Sequence, residues 1–418
     1  MSEGTFRSLR NPSYRTWAAG SLVSNIGTWV QRTAQDWLVL TQLTQHNATS
    51  LGVVMALQFG PHIALLPLTG SAADRFDRRR ILVVTQSIMF VLALVLGLLT
   101  LFGAVALWHV YAFALLLGCV TAFDGPASQT FVSELVGDRD LSNAVGLNST
   151  SFNIARMVGP ALAGVLLSSV GTGWAFMINA LSYLAVLGAL WRLRVHARHA
   201  TARAPAQGQG FVDGLRYVAG RPDLRAILVM LFLIGTFGLN FTIFISTMAV
   251  SVFHAGASRY GLLMSIMAIG TITGSLLAAR RQQPRIEILL SSAAAFGVGC
   301  TLAALMPTYW LFGAALMLIG VSALTFANST NSLLQLGTEP AMRGRVMAMR
   351  LAIALGGTPI GAPVVGWVAD TLGPRWALGV GAASGFAAAL VLVHYLARHR
   401  HLRVRVASGR LRIQVDPA

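Results

Sequence analysis

The chain has 418 residues, of which 55% are hydrophobic and only 11% charged. A soluble domain carries roughly a quarter charged residues, so the composition excludes that class and marks a membrane protein. The formal net charge of +17 comes from arginine alone, in short runs between apolar segments rather than on one basic face, and this disfavours a nucleic-acid partner.

Apolar runs set against turn and charge signals predict twelve membrane spans, each about twenty residues or longer, as a helix crossing a bilayer requires. The first six run over residues 14–43, 50–73, 80–102, 107–131, 142–169 and 173–193. The second six run over residues 224–252, 258–279, 286–305, 308–334, 346–372 and 375–397. Placing both termini in the cytosol leaves two arginines at the outer side, Arg259 and Arg375, and two deep within spans, Arg32 and Arg156. Every other arginine then falls on the cytosolic side, which is the asymmetry of the positive-inside rule. Met1 to Tyr14 has no short apolar region with a small-residue cleavage site, so this stretch is expected to stay in the mature protein. Cys119 and Cys300 both fall inside spans, and neither a disulfide framework nor a metal site is indicated.

Span one carries Gln31-Arg32-Thr33-Ala34-Gln35-Asp36-Trp37, which puts Arg32 and Asp36 one turn apart on one helix face. The spacing predicts an ion pair that protonation of Asp36 would release, a candidate for proton coupling or for holding a charged substrate group. A permanent pair anchoring the helix is the plainer alternative. In span two, His62 follows Pro61 and either titrates near neutrality or simply bonds a carbonyl. Trp29, Trp37 and Phe59 are core aromatics or an aromatic lining.

Between spans two and three lies Gly70-x-x-x-Asp74-Arg75-x-x-Arg78, followed by Arg79 and Arg80. So polar a run must lie in water, which makes it a cytosolic hinge loop. Asp74 near the start of span eleven would face the positive end of a helix, a contact worth about 0.3 to 2 kcal/mol. Asp124, within Phe123-Asp124-Gly125-Pro126 of span four, is an intramembrane carboxylate. Such a group costs about 2.5 to 3.5 kcal/mol at mid-helix, so it needs a partner, and Arg78 is the candidate.

Span five contains Asn153, Arg156, Gly159 and Pro160. Gly-Pro followed by small residues bends a helix and lets backbones approach, as a packed gating interface requires. Arg156 near mid-membrane must face a wet cavity or an acid, and the cavity is expected. Asn240 in span seven and Asn328 and Asn331 in span ten supply neutral hydrogen-bonding groups for an opposite wall, although helix-packing contacts explain them equally well. Residues 196–223 form a polar linker whose second half has apolar residues at helical spacing, predicting a short amphipathic helix on the inner membrane surface. The tail alternates with period two on either side of Ala407-Ser408-Gly409, which reads either as a small β-hairpin or as a disordered basic tail touching anionic lipid.

The chain repeats itself. At an offset of 202 residues Gly159 matches Gly361, Gly164 matches Gly366, Gly171 matches Gly373 and Trp174 matches Trp376. At 209 residues Gly52 matches Gly261 and Met55 matches Met264.

The hinge loop resembles the signature between the second and third helices of the major facilitator superfamily, on Gly70, Asp74, Arg75 and Arg78. Asp124-Gly125-Pro126, Asn153-x-x-Arg156-x-x-Gly159-Pro160 and Arg343-Gly344-Arg345 narrow the resemblance to the transmembrane secretion effector branch, drug:proton antiporters that include the enterobactin exporter. One departure is that the fifth-helix motif lacks its upstream glycines, Ala155 standing one turn before Gly159.

The resemblance implies an all-α polytopic membrane protein of two pseudo-symmetric six-helix bundles, residues 14–195 and 224–397, between a cytosolic N-terminus (1–13) and a basic cytosolic tail (398–418). It also implies export of a small organic molecule such as a drug or siderophore in exchange for protons, from a monomer in the bacterial plasma membrane. Gly70, Asp74, Arg75, Arg78, Asp124, Gly159 and Pro160 would gate. Arg32, Asp36, Asn153, Arg156, Asn240, Asn328 and Asn331 would serve substrate and proton. The alternatives are a facilitator or importer of the same fold, or a non-transporting receptor or scaffold. No nucleophile–base pair, phosphate loop or metal-ligand cluster points to an enzyme, and no cofactor is expected.

Overall fold

The computed structural model describes residues 6–66, 68–69, 72, 76–193, 210–279, 285–399, 402–407 and 410–415. Capping side chains fix where the first helices start. Asn11 Oδ1 accepts from the Ser13 amide at 2.9 Å and opens α1 (Pro12–Leu38), with Pro12 in the first turn, where its missing N–H costs nothing. Asn47 caps α2 (Ala48–Ala64) through the Ser50 amide at 2.7 Å, and Asp77 caps α3 (Arg78–Leu101) through the Arg80 amide at 2.8 Å.

There follow α4 (Leu107–Leu135), α5 (Asp138–Ser169), α6 (Thr172–Arg192), α7 (Gly210–Ala219), α8 (Pro222–Leu233) and α9 (Phe241–Thr247). The last five helices are α10 (Ala257–Ala279), α11 (Ile286–Leu305), α12 (Tyr309–Gly337), α13 (Pro340–Thr371) and α14 (Pro374–His399). π-helical turns at Val39–Leu43, Ile234–Gly238 and Met248–Val252 continue α1, α8 and α9.

Among the described residues, ten helical runs are long and apolar enough to cross a membrane, and they correspond to predicted spans three to twelve. The first two predicted spans are helical but differ. In α1 the polar residues Gln31, Thr33, Gln35 and Asp36 are buried inside the protein, so other helices rather than lipid surround them. α2 has 17 residues, short of the roughly twenty that a span needs. Its predicted continuation passes through residues outside the described set, and Gly70, Asp74 and Arg75 of the hinge loop lie there too.

Two compact units make up the chain, Met1–Arg203 with Ile245–Ser265, and Ala204–Phe244 with Ile266–Ala418. In the first unit Trp17 meets Phe131 edge-on at 5.1 Å, and the buried Tyr14 hydroxyl donates to the Ala144 carbonyl at 2.8 Å. Burying a tyrosine with its hydroxyl satisfied keeps its apolar gain without the cost of an unpaired donor.

The repeat shows as matched backbone solutions inside each unit. Gly171 and Gly373, at φ 85° and 102°, make the turns into α6 and α14. Trp174 and Trp376 follow, 51% and 63% exposed. Gly159 of α5 presses on α1, where a Cβ would strike Trp29 Cβ, while Gly361 of α13 presses on the Thr236 carbonyl in the π-helical turn.

At Gly171, ψ is 176°, a region open essentially to glycine alone, and nothing crowds a Cβ there. Gly171→Ala is therefore expected to cost about 1–3 kcal/mol through backbone strain alone. A lowered thermal-unfolding midpoint in detergent, with the elution profile of the folded fraction unchanged, is the outcome to look for.

The predicted linker helix is present as α7. Asp213 lies 3.7 Å from Arg345, and Gly214 faces the Arg345 side chain at the start of α13. Just beyond it, Arg221 holds Asp223 in two hydrogen bonds of 3.0 and 2.7 Å and donates to the Gly337 carbonyl at 3.1 Å. The hydrogen bonds it donates to the Asp223 carboxylate raise the Arg221 pKa above its ordinary value, so the guanidinium stays charged.

The tail is a two-stranded antiparallel ribbon, β1 (Leu402–Ala407) and β2 (Arg410–Val415), with Leu402 opposite Val415 and Ala407 opposite Arg410. Of the two readings of the tail, the hairpin is the one found, and it amends the all-α expectation.

Candidate functional site

Five helices of the first unit, α1 and α3–α6, surround a cavity of about 820 Å³. Its wall is mostly hydroxyl and amide: Ser24, Asn25 and Thr28 from α1, Gln86 from α3, Ser128 from α4 and Asn148 from α5. Among the described residues lining it, Arg32 is the cation and Asp124 the acid. The volume suits a small organic molecule, since ligand sites run about 300–1,000 Å³.

Asp124 is held by neutral donors. Thr85 Oγ1 donates to its Oδ1 at 2.6 Å and Gln86 Nε2 donates to the same oxygen at 3.0 Å. Arg78, the partner predicted from sequence, pairs instead with Glu134 at 2.9 Å. The reason is helix register. α3 and α4 run antiparallel, so the start of α3 meets the end of α4, while Asp124 lies ten residues back, about 15 Å along the axis, beside Thr85 and Gln86.

Glu134, Thr85 and Gln86 are partners that the charge pattern of Asp124 and Arg78 does not point to. Antiparallel register was the signal available, since residue numbers sum to 209–212 across all three contacts. The Arg78–Glu134 pair is partly buried, at 24% and 19% exposure. Arg78→Ala and Glu134→Ala are each expected to destabilise, and the double variant should cost about 1 kcal/mol less than their sum. A double-mutant cycle on thermal midpoints reads this coupling, and additivity would contradict it.

Arg32 does not pair with Asp36: no ion pair joins them among the described residues. Its guanidinium lies over the rings of Trp29 at 5.2 Å and Phe59 at 5.4 Å. A helical side chain leans toward the N-terminus, and this carries Arg32 back onto Trp29 and away from Asp36. Asp36 is buried one turn farther on, outside the cavity lining, next to Trp37, which stacks on Tyr260 at 5.7 Å. Tyr183, another residue that sequence reasoning missed, brings its hydroxyl to 3.2 Å from Thr28 on the cavity wall. His62 Nε2 stands 3.4 Å from Thr121 Oγ1, and its Nδ1 is buried with no hydrogen-bond partner.

The remaining predicted residues divide. Asn153 lines the cavity, with its amide donating to the Ser149 carbonyl at 2.9 Å. Arg156 is half-buried on α5 and is not among the residues that line this cavity. It sits one turn beyond Asn153, where α5 turns toward α1 at Gly159. Asn240, in the second unit, is buried in the break before α9 and donates to the Thr236 carbonyl of the preceding π-helical turn at 2.7 Å. Asn328 and Asn331 are half-buried on α12, also in the second unit. Gly159 and Pro160 form a close crossing: beyond the Trp29 contact, a Cβ on Gly261 would stand 2.7 Å from the Pro160 carbonyl oxygen.

The family model for transmembrane secretion effectors matches residues 3–409. The chain belongs to that family. This transmembrane secretion effector is 26% identical over 362 residues to the staphyloferrin A transporter of Staphylococcus aureus, covering 85% of this chain and 89% of the relative. It is likewise 26% identical over 367 residues to the multidrug efflux pump Tap of Mycolicibacterium fortuitum, covering 84% and 88%. The crystal structure of a D-xylose–proton symporter superposes with a TM-score of 0.71 at 14% identity, over 93% of this chain and 98% of that one. The secretion effector is thus a multi-pass membrane protein with the major facilitator fold, and the relatives named here are transporters rather than enzymes.

Proposed function

We propose that this chain is a secondary active exporter that moves a small organic molecule out of a bacterial cell in exchange for protons, by alternating access. The observation that carries the reading is the cavity in the first unit, where an acid and an arginine stand among hydroxyl and amide groups inside a membrane-spanning bundle. Ionisable groups at such depth are expensive and persist where they serve a pathway. The similarity to a siderophore transporter and to a multidrug efflux pump supports the export direction.

In this reading twelve spans form two six-helix halves, with both termini in the cytosol, and the protein works as a monomer without a cofactor. Asp124 is the coupling acid because it is the carboxylate on the cavity wall. Asp36 is held in reserve behind the wall. Gly70, Asp74, Arg75 and Arg78 gate from the hinge loop, together with the Gly159–Pro160 crossing. Each charge moved across 100 mV supplies about 2.3 kcal/mol, enough for appreciable uphill export.

Inside-out vesicles with a preset pH gradient test this. Added cargo is expected to dissipate the gradient, and uptake into the vesicles should stop when a protonophore collapses it. Uptake that continues unchanged after the collapse identifies a facilitator instead.

A further inference from the structure

We propose that the cavity selects a carboxylate-bearing cargo and that Arg32 is its anion receptor, an inference that rests on the carrier reading above. Three observations lead there. The flat face of the Arg32 guanidinium is taken up by the rings of Trp29 and Phe59. The N–H groups of a guanidinium lie in its plane, so stacking leaves them available for hydrogen bonds. Among the described residues Arg32 makes neither a hydrogen bond nor an ion pair, and its Nε is buried without a partner. The acid that could have neutralised it, Asp124, has one oxygen committed to Thr85 and Gln86.

A half-buried arginine with an unused planar fork, opening into a cavity of about 820 Å³, is a receptor for a planar anion. Carboxylate fits because two parallel N–H···O bonds match its geometry and are roughly twice as strong as neutral ones. The same stacking argues against a lipophilic cation, which would need the ring faces of Trp29 and Phe59 that Arg32 already covers. The rest of the wall, hydroxyl and amide side chains such as Ser24, Asn25 and Asn148, suits an oxygen-rich molecule.

The test is binding to the full-length chain in detergent by calorimetry, with citrate, its trimethyl ester and tetraphenylphosphonium as probes. Citrate is expected to bind at least tenfold more tightly than the ester. Arg32→Gln should lose at least tenfold in citrate affinity while eluting as a monodisperse peak, and Arg32→Lys should recover only part, as a point charge without the fork. Citrate and ester binding alike, citrate not binding at all, or Arg32→Gln binding citrate as the native chain does would each overturn the inference. Proteoliposome transport separates this from the carrier reading. Gradient-driven movement of tetraphenylphosphonium without citrate keeps the carrier and sinks the anion receptor. Citrate bound through Arg32 with no transport of any probe keeps the receptor and sinks the carrier.

Discussion

Asp124→Asn is expected to reduce gradient-driven transport at least tenfold while leaving the protein folded. Asparagine keeps an oxygen where Thr85 and Gln86 donate at 2.6 and 3.0 Å, so both hydrogen bonds survive the exchange. What it loses is the ability to take up and release a proton. Substrate exchange between equal concentrations, which needs no net proton movement, should therefore persist in Asp124→Asn while uphill accumulation disappears. Asp124→Leu is the contrasting variant. It strands the Gln86 amide at about 1–3 kcal/mol, while the Thr85 hydroxyl falls back on the Leu82 carbonyl at 3.2 Å, so it should lower expression and thermal midpoint as well as transport. Full gradient-driven accumulation by Asp124→Asn would remove Asp124 from the coupling step and make Asp36, the buried acid behind the wall, the next to test.

The second large effect is steric. Gly159→Leu is expected to abolish transport and most of the folded yield. A Cβ at this position runs into Trp29 Cβ and comes to 3.3 Å from the Ile26 carbonyl oxygen. Backbone cannot swing aside as a long side chain can. Overpacking typically costs about 1–3 kcal/mol where neighbours can shift, and this crossing offers little room to shift. In lipid, helices gain no hydrophobic drive from meeting one another, so close backbone contact at small residues holds them together. Gly361→Leu should be at least as damaging, because its Cβ meets the Thr236 carbonyl in a π-helical turn. Gly188→Ala, on α6 with open space at its Cβ, is the neutral control. Normal yield and transport in Gly159→Leu would mean that α1 and α5 are not packed as described.

Most of the scaffold could be read from the chain because its causes are local or repeated. Twenty apolar residues in a row need no distant partner to become a span, and Gly171 with Gly373 recur because one turn geometry was needed twice. The partners of the charged side chains could not be read in this way. Arg32 and Asp36 sit one turn apart on α1, yet Phe59 from α2 and Trp29 decide where the guanidinium rests. Likewise Arg78 meets Glu134 rather than Asp124 because the consecutive helices α3 and α4 pack antiparallel in one register. Spacing along one helix states which residues share a face. It does not state what that face will meet.

Trp174 and Trp376, exposed just after the two matched glycine turns, have a practical consequence. Indole rings settle at the boundary between acyl chains and headgroups, so each ring is expected to act as a float for its own unit. In a variant that keeps these two of the nine tryptophans, lipids brominated at graded carbon positions would quench both rings most strongly near the headgroups. The depth at which quenching peaks measures how the protein rides in bilayers of different thickness, with no added label.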